Sequence, residues 1–432
     1  MLTLPSAAQP IAAAPPAAPR AAHAVLVFLI LALQFGPMAG LLGFRLTGHD
    51  AWAWNGAARD MAVLVLLAWA AAGRSSSAAG PALPPSARWA LGLVAVYGVM
   101  ALLDTNGLVL TALNLRRLVL VPLLFVAVRA LPWTPAQVDR LFALLVGSSA
   151  VVAAFGLAER IAPEALWTDW LDIQAFTAAN NFDRFGSLDF HESGRFFSTD
   201  LDGWWPGGPF RRVISTYLEP TTLAAAMAVL LSVALARRAR GHAAAALVVL
   251  ALACGLGTLS KGFVGYVVLL LTWRTLGVPS PAHLMPLVVG ACGVTVAVAQ
   301  FHLVGPLSHV AGLSTALEYL AAGHWFGEGI GAAGNYSDAG ADFGEESGLG
   351  NVIGQVGVAA LLSLLWVRAL AVDLLATAAA RQDRGGPWIA SWLVFWTLTY
   401  LFSASSLGAG GNALGFVVLA LYLHPASGRL AR

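Results

Sequence analysis

The sequence predicts an all-α polytopic membrane protein of about twelve transmembrane helices, with two large loops on one face. Composition is the first ground: 58% of residues are apolar and 11% charged, with a mean hydropathy of +0.75. A soluble domain has roughly 45–50% and about 25% respectively. The second ground is the recurrence of apolar runs near the length that crosses a bilayer, about twenty residues. The third is arginine, which gathers at alternate ends of those runs.

Along the chain, residues 1–20 are a Pro/Ala-rich stretch ending at Arg20, which reads as a disordered cytoplasmic tail. The apolar run after it has no convincing cleavage site and reads as a retained first span. Spans near 24–44, 57–73, 88–103, 112–130 and 138–158 make an N-terminal group over 21–158. A loop over 159–218 follows. Spans near 219–236, 242–258, 262–276 and 283–304 make a central group over 219–304, and a second loop runs 305–346. Spans near 347–368, 388–407 and 411–425 complete the segment 347–432. An even number of spans puts both termini on one side. That side collects Arg74, Arg88, Arg129, Arg140, Arg237, Arg238, Arg240, Arg274, Arg381, Arg384, Arg429 and Arg432, and the positive-inside rule makes it the cytoplasm. Cys254 and Cys292 lie inside apolar runs, so no disulfide framework or metal cluster is indicated.

Acids sort the other way. Asp139, Asp373 and Asp383 fall inside; the other nineteen of twenty-two lie outside or at outer span ends. The two outer loops hold most of them. Long loops without regular structure are usually functional or disordered, and a chain that only anchors or conducts has little use for two such loops.

The first loop carries twelve aromatics in sixty residues, among them Trp204, Trp205 and Tyr217, interleaved with Asp, Asn and Glu. Aromatic faces beside amide and carboxylate acceptors suit a sugar, with its C–H faces and rim of hydroxyl donors. Trp and Tyr also gather at the headgroup level, and both readings stand. The loop ends with Arg211 and Arg212 on the arginine-poor side, just before Glu219-Pro220 opens the next span. Arginine's planar fork is the usual partner of phosphate oxygens. Glu219 beside a first-turn proline is also ordinary helix capping.

The single lysine, Lys261, stands against twenty-three arginines, in Gly257-Thr258-Leu259-Ser260-Lys261-Gly262 between two apolar runs. A cation there is costly unless it meets water, a partner or an anion; snorkelling at a span end is the alternative. In the second loop, residues 308–322 alternate like an amphipathic surface helix with Leu313, Leu317 and Leu320 on one side. After His324, the glycines Gly329, Gly331 and Gly334 match a dinucleotide-binding pattern, but no strand or βαβ unit surrounds them. Neither they nor the composition points to nucleic acid. Asp338, Asp342, Glu345 and Glu346 then precede Ser347-Gly348 and the next span. They read either as a solvated turn or as an acid–base site facing a phosphate site.

Three segments taken in order resemble the bacterial O-antigen ligase and polysaccharide polymerase superfamily. They are Arg212 to Pro220, Leu259-Ser260-Lys261-Gly262, and Gly327-Glu328-Gly329 through Glu346-Ser347-Gly348 to Gly354-Gln355-Val356-Gly357. The resemblance covers roughly residues 205–365 and implies a GT-C-like, many-span glycosyltransferase of the bacterial inner membrane. It also implies use of undecaprenyl-diphosphate-linked oligosaccharide outside that membrane, without metal or other cofactor and with inversion. Lys261 stands where the family's Ser-Arg-Gly motif has arginine, keeping the charge and losing the bidentate fork. Ligases of the superfamily carry a histidine at the lip that here reads Glu345-Glu346-Ser347, and His324 lies over twenty residues upstream. The expected activity is therefore polymerisation of exopolysaccharide repeat units, of the xanthan kind, with ligase-type transfer to another acceptor as the alternative. Implied partners are membrane lipid, the lipid-linked oligosaccharide, and a chain-length regulator with export proteins.

The chemistry assigns roles. A diphosphate leaving group gains negative charge as the anomeric bond breaks, so preplaced cations favour the transition state. Arg211, Arg212 and Lys261 are first for that role, with Arg116 and Arg117 at the outer end of the fourth span behind them. The acceptor hydroxyl needs a base: Glu346 first, then Glu345 and Glu219. Trp204, Trp205, Tyr217 and His324 are the sugar-binding candidates. The rival from another class is a transporter or lipid flippase, since such folds have many spans and polar mid-membrane sites. A metal-dependent transferase with an acidic pair in its first outer loop is a closer rival, but Arg45 to Asn55 offers only Asp50.

Overall fold

The computed structural model describes residues 20–49, 52–75, 83–180, 196–198, 210–237, 241–276, 308–332, 347–408 and 410–427. The tail before Arg20, the expected span 283–304, Trp204, Trp205, Gly334, Glu345 and Glu346 lie outside the described residues.

Among the described residues the chain is all-α apart from one two-residue ladder. Helices α1 (Arg20–Thr47), α2 (Trp52–Ser75), α3 (Pro85–Leu102), α4 (Leu108–Ala130) and α5 (Pro135–Ile161) form the first group. After a π-helical turn (Leu166–Trp170) and the short α6 (Ile173–Ala179), β1 (Phe197–Ser198) pairs antiparallel with β2 (Phe210–Arg211). Then come α7 (Pro220–Ala236), α8 (His242–Gly257), α9 (Lys261–Leu276) and α10 (Ser308–Ala321). The last group is α11 (Gly348–Val356), α12 (Leu361–Ala380), α13 (Gly386–Phe402) and α14 (Gly410–Leu423).

Among the described residues, six helical stretches are long and apolar enough to cross a membrane: Arg20–Thr47, Trp54–Gly73, Pro85–Leu102, Leu108–Ala130, Pro135–Ile161 and Gly348–Ala380. Three shorter apolar helices accompany them, Pro220–Ala236, His242–Gly257 and Gly410–Leu423. This is a multi-pass helical membrane protein. Helix α7 is apolar all round and buried on every face, as a helix at the centre of a bundle must be.

The stretch expected as a continuous span over 347–368 is instead broken. Helix α11 stops at Val356, a 3-10 turn covers Gly357–Ala360, and α12 restarts at Leu361. The cause is local. Gly357 has φ +60, and a Cβ there would lie 2.0 Å from the Trp325 carbonyl oxygen.

Helix starts use ordinary chemistry. Thr134 and Gln137 make a capping box before α5, and Ser347 accepts from Gly350 N at 2.8 Å to cap α11. Two of the three acids on the arginine-rich end have fixed partners. Asp373 accepts from Ser86 N at 2.9 Å at the start of α3, and Asp383 accepts from the Tyr422 hydroxyl at 2.8 Å. Helix α10 buries Leu313 and Ala316, while Leu317 faces outward, so its apolar stripe is narrower than the leucine spacing predicts.

Candidate functional site

The end of the bundle that carries most acids holds one tightly built junction, where α5, β2 and the α8–α9 turn meet. Arg212 N donates to Phe196 O at 2.7 Å, extending the small ladder, and Val213 N donates to Gly257 O at 2.9 Å. Arg212 Nε donates to Thr258 O at 2.9 Å. Two carbonyls at the C-terminus of α8, orphaned by the end of the helix, are thereby satisfied, and a cation at that end is favoured. Lys261 opens α9 three residues later. There it opposes the helix dipole, which favours anions at an N-terminus. Arg212 thus binds the turn between α8 and α9, and Lys261 stands where that turn enters α9, whose N-terminal amides are of the kind that receive an anion.

Glycines permit the approach. A Cβ at Gly257 would lie 2.8 Å from Val213 Cγ2, and one at Gly156 would lie 2.9 Å from Val213 Cγ1 and 3.0 Å from Cys254 Sγ. The junction is also strained. Among the described residues five non-glycines have positive φ, and three of them, Ser215, Leu218 and Leu259, lie here. Such outliers persist where surrounding structure over-determines them, often at functional sites.

Beneath Arg211 lies a residue that the sequence did not single out. Glu159, near the end of α5, is 3% exposed. Its Oε1 accepts from Ile214 N at 2.7 Å and Ser215 N at 3.1 Å. Arg211 Nη2 donates to the Glu159 backbone carbonyl and to Ala162 O, the latter at 3.1 Å. Burial depresses the Arg211 guanidinium below its ordinary value, and the Glu159 carboxylate works the other way. In sequence Glu159 was one outer acid among nineteen. Its partners arrive from 55 residues away, so no local pattern marks it.

The segment behind this junction is polar and buried. Ser215 Oγ donates to Val152 O at 2.7 Å, and Thr216 Oγ1 to Gln34 O at 2.6 Å. Gln34 Nε2 donates to Ser148 Oγ at 2.7 Å, and its carbonyl accepts from Ser149 Oγ at 3.2 Å. Tyr217 is buried, which raises its phenol above the ordinary value. That burial removes it from any exposed sugar platform.

The other expected residues separate. Both Glu219 oxygens are occupied as the cap of α7: Thr221 N at 3.2 Å, Thr222 N at 2.8 Å, and both threonine hydroxyls donate to them. This is the structural role open to Glu219 in sequence, and it leaves Glu219 the weakest of the three base candidates. Arg116 pairs with Asp60 of α2, a counter-ion the sequence reading did not match to it. Arg117, the next residue, lines a cavity on another side of α4. His324 stacks on Tyr319 with ring centroids 3.9 Å apart, and its Nδ1 lies 3.8 Å from Glu328 Oε1. It belongs to a second, separate feature. The His324–Gly331 segment docks on the break between α11 and α12: Glu328 N donates to Gly354 O at 2.9 Å, Gly329 N to Gln355 O at 3.1 Å, and Val358 N to Trp325 O at 2.9 Å. Of the glycines in the dinucleotide-like pattern, Gly329 and Gly331 have φ of +97 and +115, conformations that glycine adopts without strain, and Gly334 lies outside the described residues. No family model, curated protein or solved structure matches the chain, so its functional reading rests on these residues and their geometry.

Proposed function

We propose that the chain polymerises undecaprenyl-diphosphate-linked oligosaccharide repeat units into exopolysaccharide at the outer face of the bacterial inner membrane. One observation carries the reading: Arg212 is hydrogen-bonded into the turn that ends in Lys261, so two arginines and the lone lysine share one junction. In the reaction, the acceptor's hydroxyl oxygen attacks the donor's anomeric carbon from the face opposite the diphosphate. The C–O bond to the diphosphate breaks, the lipid diphosphate departs with the bonding electrons, and the hydroxyl proton passes to a carboxylate. Arg211, Arg212 and Lys261 stabilise the departing charge in place. No metal is required by this scheme, and both loops face the periplasmic side. A chain-length regulator and export proteins would act on the product.

The base is assigned to Glu346. Its rival role is support of α11 through that helix's N-terminal dipole, next to Ser347, which is the N-cap. With a positioned base worth roughly 10²–10⁴ in rate, Glu346→Gln is expected to lose that much turnover on purified lipid-linked repeat units while still binding donor. Turnover within a few-fold of wild type would return Glu346 to a structural role.

Deleting the gene separates the readings. Polymerisation predicts single repeat units, lipid-linked or passed on unpolymerised, with no polymer. Ligase-type transfer predicts polymer that stays on its lipid carrier. The α11–α12 break is also what a transporter's discontinuous helix looks like; a flippase predicts lipid-linked units held at the cytoplasmic face. Polymer of normal length in the deletion would end all three.

A further inference from the structure

The turn between α3 and α4 is built inside out. Two of its polar side chains, Asp104 and Asn106, are turned toward the His324–Gly331 segment. Asp104 Oδ1 accepts from Asn106 N at 3.2 Å and from Asn106 Nδ2 at 2.8 Å, and Asn106 Nδ2 donates to Glu328 O at 3.0 Å. A Cβ at Gly329 would run into Asp104, so the turn and the segment are packed against each other. The apolar side chains point the other way. Leu102 and Leu108 are each 86% exposed, and Leu103 and Val109 are 77% and 70% exposed. On the segment bonded to this turn, Trp325 and Phe326 are exposed as well. One exposed leucine means little, but a clustered set of large apolar side chains marks a contact surface.

Depth identifies what covers that surface. Arg129 in the last turn of α4 and Arg381 directly after α12 mark the arginine-rich end. At about 1.5 Å per residue, Leu108 lies roughly 30 Å along α4 from Arg129, and Leu361 roughly 30 Å along α12 from Arg381. The hydrocarbon core of a bilayer is about 30 Å thick. Two helices therefore place the same boundary independently, one at the α3–α4 turn and one at the start of α12. Leu361, Leu365 and Val372 are exposed along one face of α12, the face a span offers to acyl chains. Val358, just before Leu361, donates its N–H to Trp325 O at 2.9 Å. Trp325 is thereby held where the core ends, the level at which tryptophan gathers in membrane proteins. We propose that the α3–α4 turn and the Trp325–Phe326 pair form one lipid-inserted rim, seated where acyl chains meet headgroups on the side opposite the arginine-rich end. Its partner is phospholipid, and the start of the second loop is a membrane-surface element. The inference needs the multi-pass frame and not the proposed activity.

The test uses the purified full chain in phospholipid nanodiscs, with an environment-sensitive fluorophore on an introduced cysteine. Phe326→Cys and Leu108→Cys report on the rim, and Gln174→Cys, at an exposed polar position of α6, is the water-facing reference. Wild type, whose two cysteines lie in apolar runs, gives the labelling background. Lipid carrying a nitroxide near the top of its acyl chain should quench the Phe326 and Leu108 probes several-fold more than the Gln174 probe. Aqueous iodide should do the reverse. Phe326 makes its contacts with the outside, so its replacement is expected to fold; Trp325→Cys is the second position if it does not. Iodide quenching at Phe326 and Trp325 as strong as at Gln174 overturns the proposal, because the segment then stands in water. Protection from both quenchers overturns it too, and would mean that a protein covers the rim. So does lipid quenching at Leu108 without any at Phe326 or Trp325, which would leave the turn in lipid and the second loop out of it.

Discussion

Cells whose only copy carries Lys261→Ala or Arg212→Ala are expected to make no polymer while the protein still reaches the membrane. The expectation follows from where these cations stand. Arg212 is fixed at the end of α8 by Thr258 O, and Lys261 begins α9 against the helix dipole. Cations already in position do not have to reorganise as the diphosphate departs, and removing one electrostatic stabiliser of this kind typically costs about 10²–10³ in rate. Lys261→Arg should keep part of the activity, since it restores the charge with a different fork. A purely structural Lys261 predicts that alanine and arginine behave alike. Polymer yield by gel and protein level by immunoblot, measured together, distinguish these outcomes. Full activity of Lys261→Ala would falsify the assignment.

The second large effect is expected at Glu159. Alanine there leaves the N–H groups of Ile214 and Ser215 buried without their acceptor. Each such group costs roughly 1–3 kcal/mol, so a destabilisation of about 2–6 kcal/mol is expected. Glutamine keeps an oxygen that both N–H groups can use, and should cost less than half as much. Because the same segment carries Arg211 and Arg212, the alanine variant should also lose polymer more steeply than the glutamine variant. Thermal unfolding of the purified protein in detergent reads the first effect. An alanine variant as stable as the glutamine one would show that the carboxylate does not hold this segment.

Much of the helical frame is legible in sequence because apolar length is a local property. Eleven of the twelve expected spans fall on helices, and the twelfth, 283–304, lies outside the described residues. The break after Val356 was missed because it is imposed from outside: the Trp325 carbonyl needs the space a side chain at Gly357 would fill. The same holds at the site. Arg211, Arg212 and Lys261 were visible because their charge stands out on an arginine-poor face. Glu159, Asp60 and the Gln34–Ser148–Ser149 network were not, since each gains its meaning from a partner on another helix. Tyr217 looked like a surface aromatic because a loop sequence does not say which of its rings turns inward.

The backbone seam between His324–Gly331 and the α11–α12 break has a mechanical consequence. Bonds from Glu328, Gly329 and Val358 lock the two strands of chain together, so neither side can shift without carrying the other. Trp325 and Phe326, 57% and 79% exposed, ride on that seam. Any tilt of α11 against α12 would therefore carry this aromatic pair with it. The beginning of the second loop is geared to the bundle interior rather than tethered to its surface.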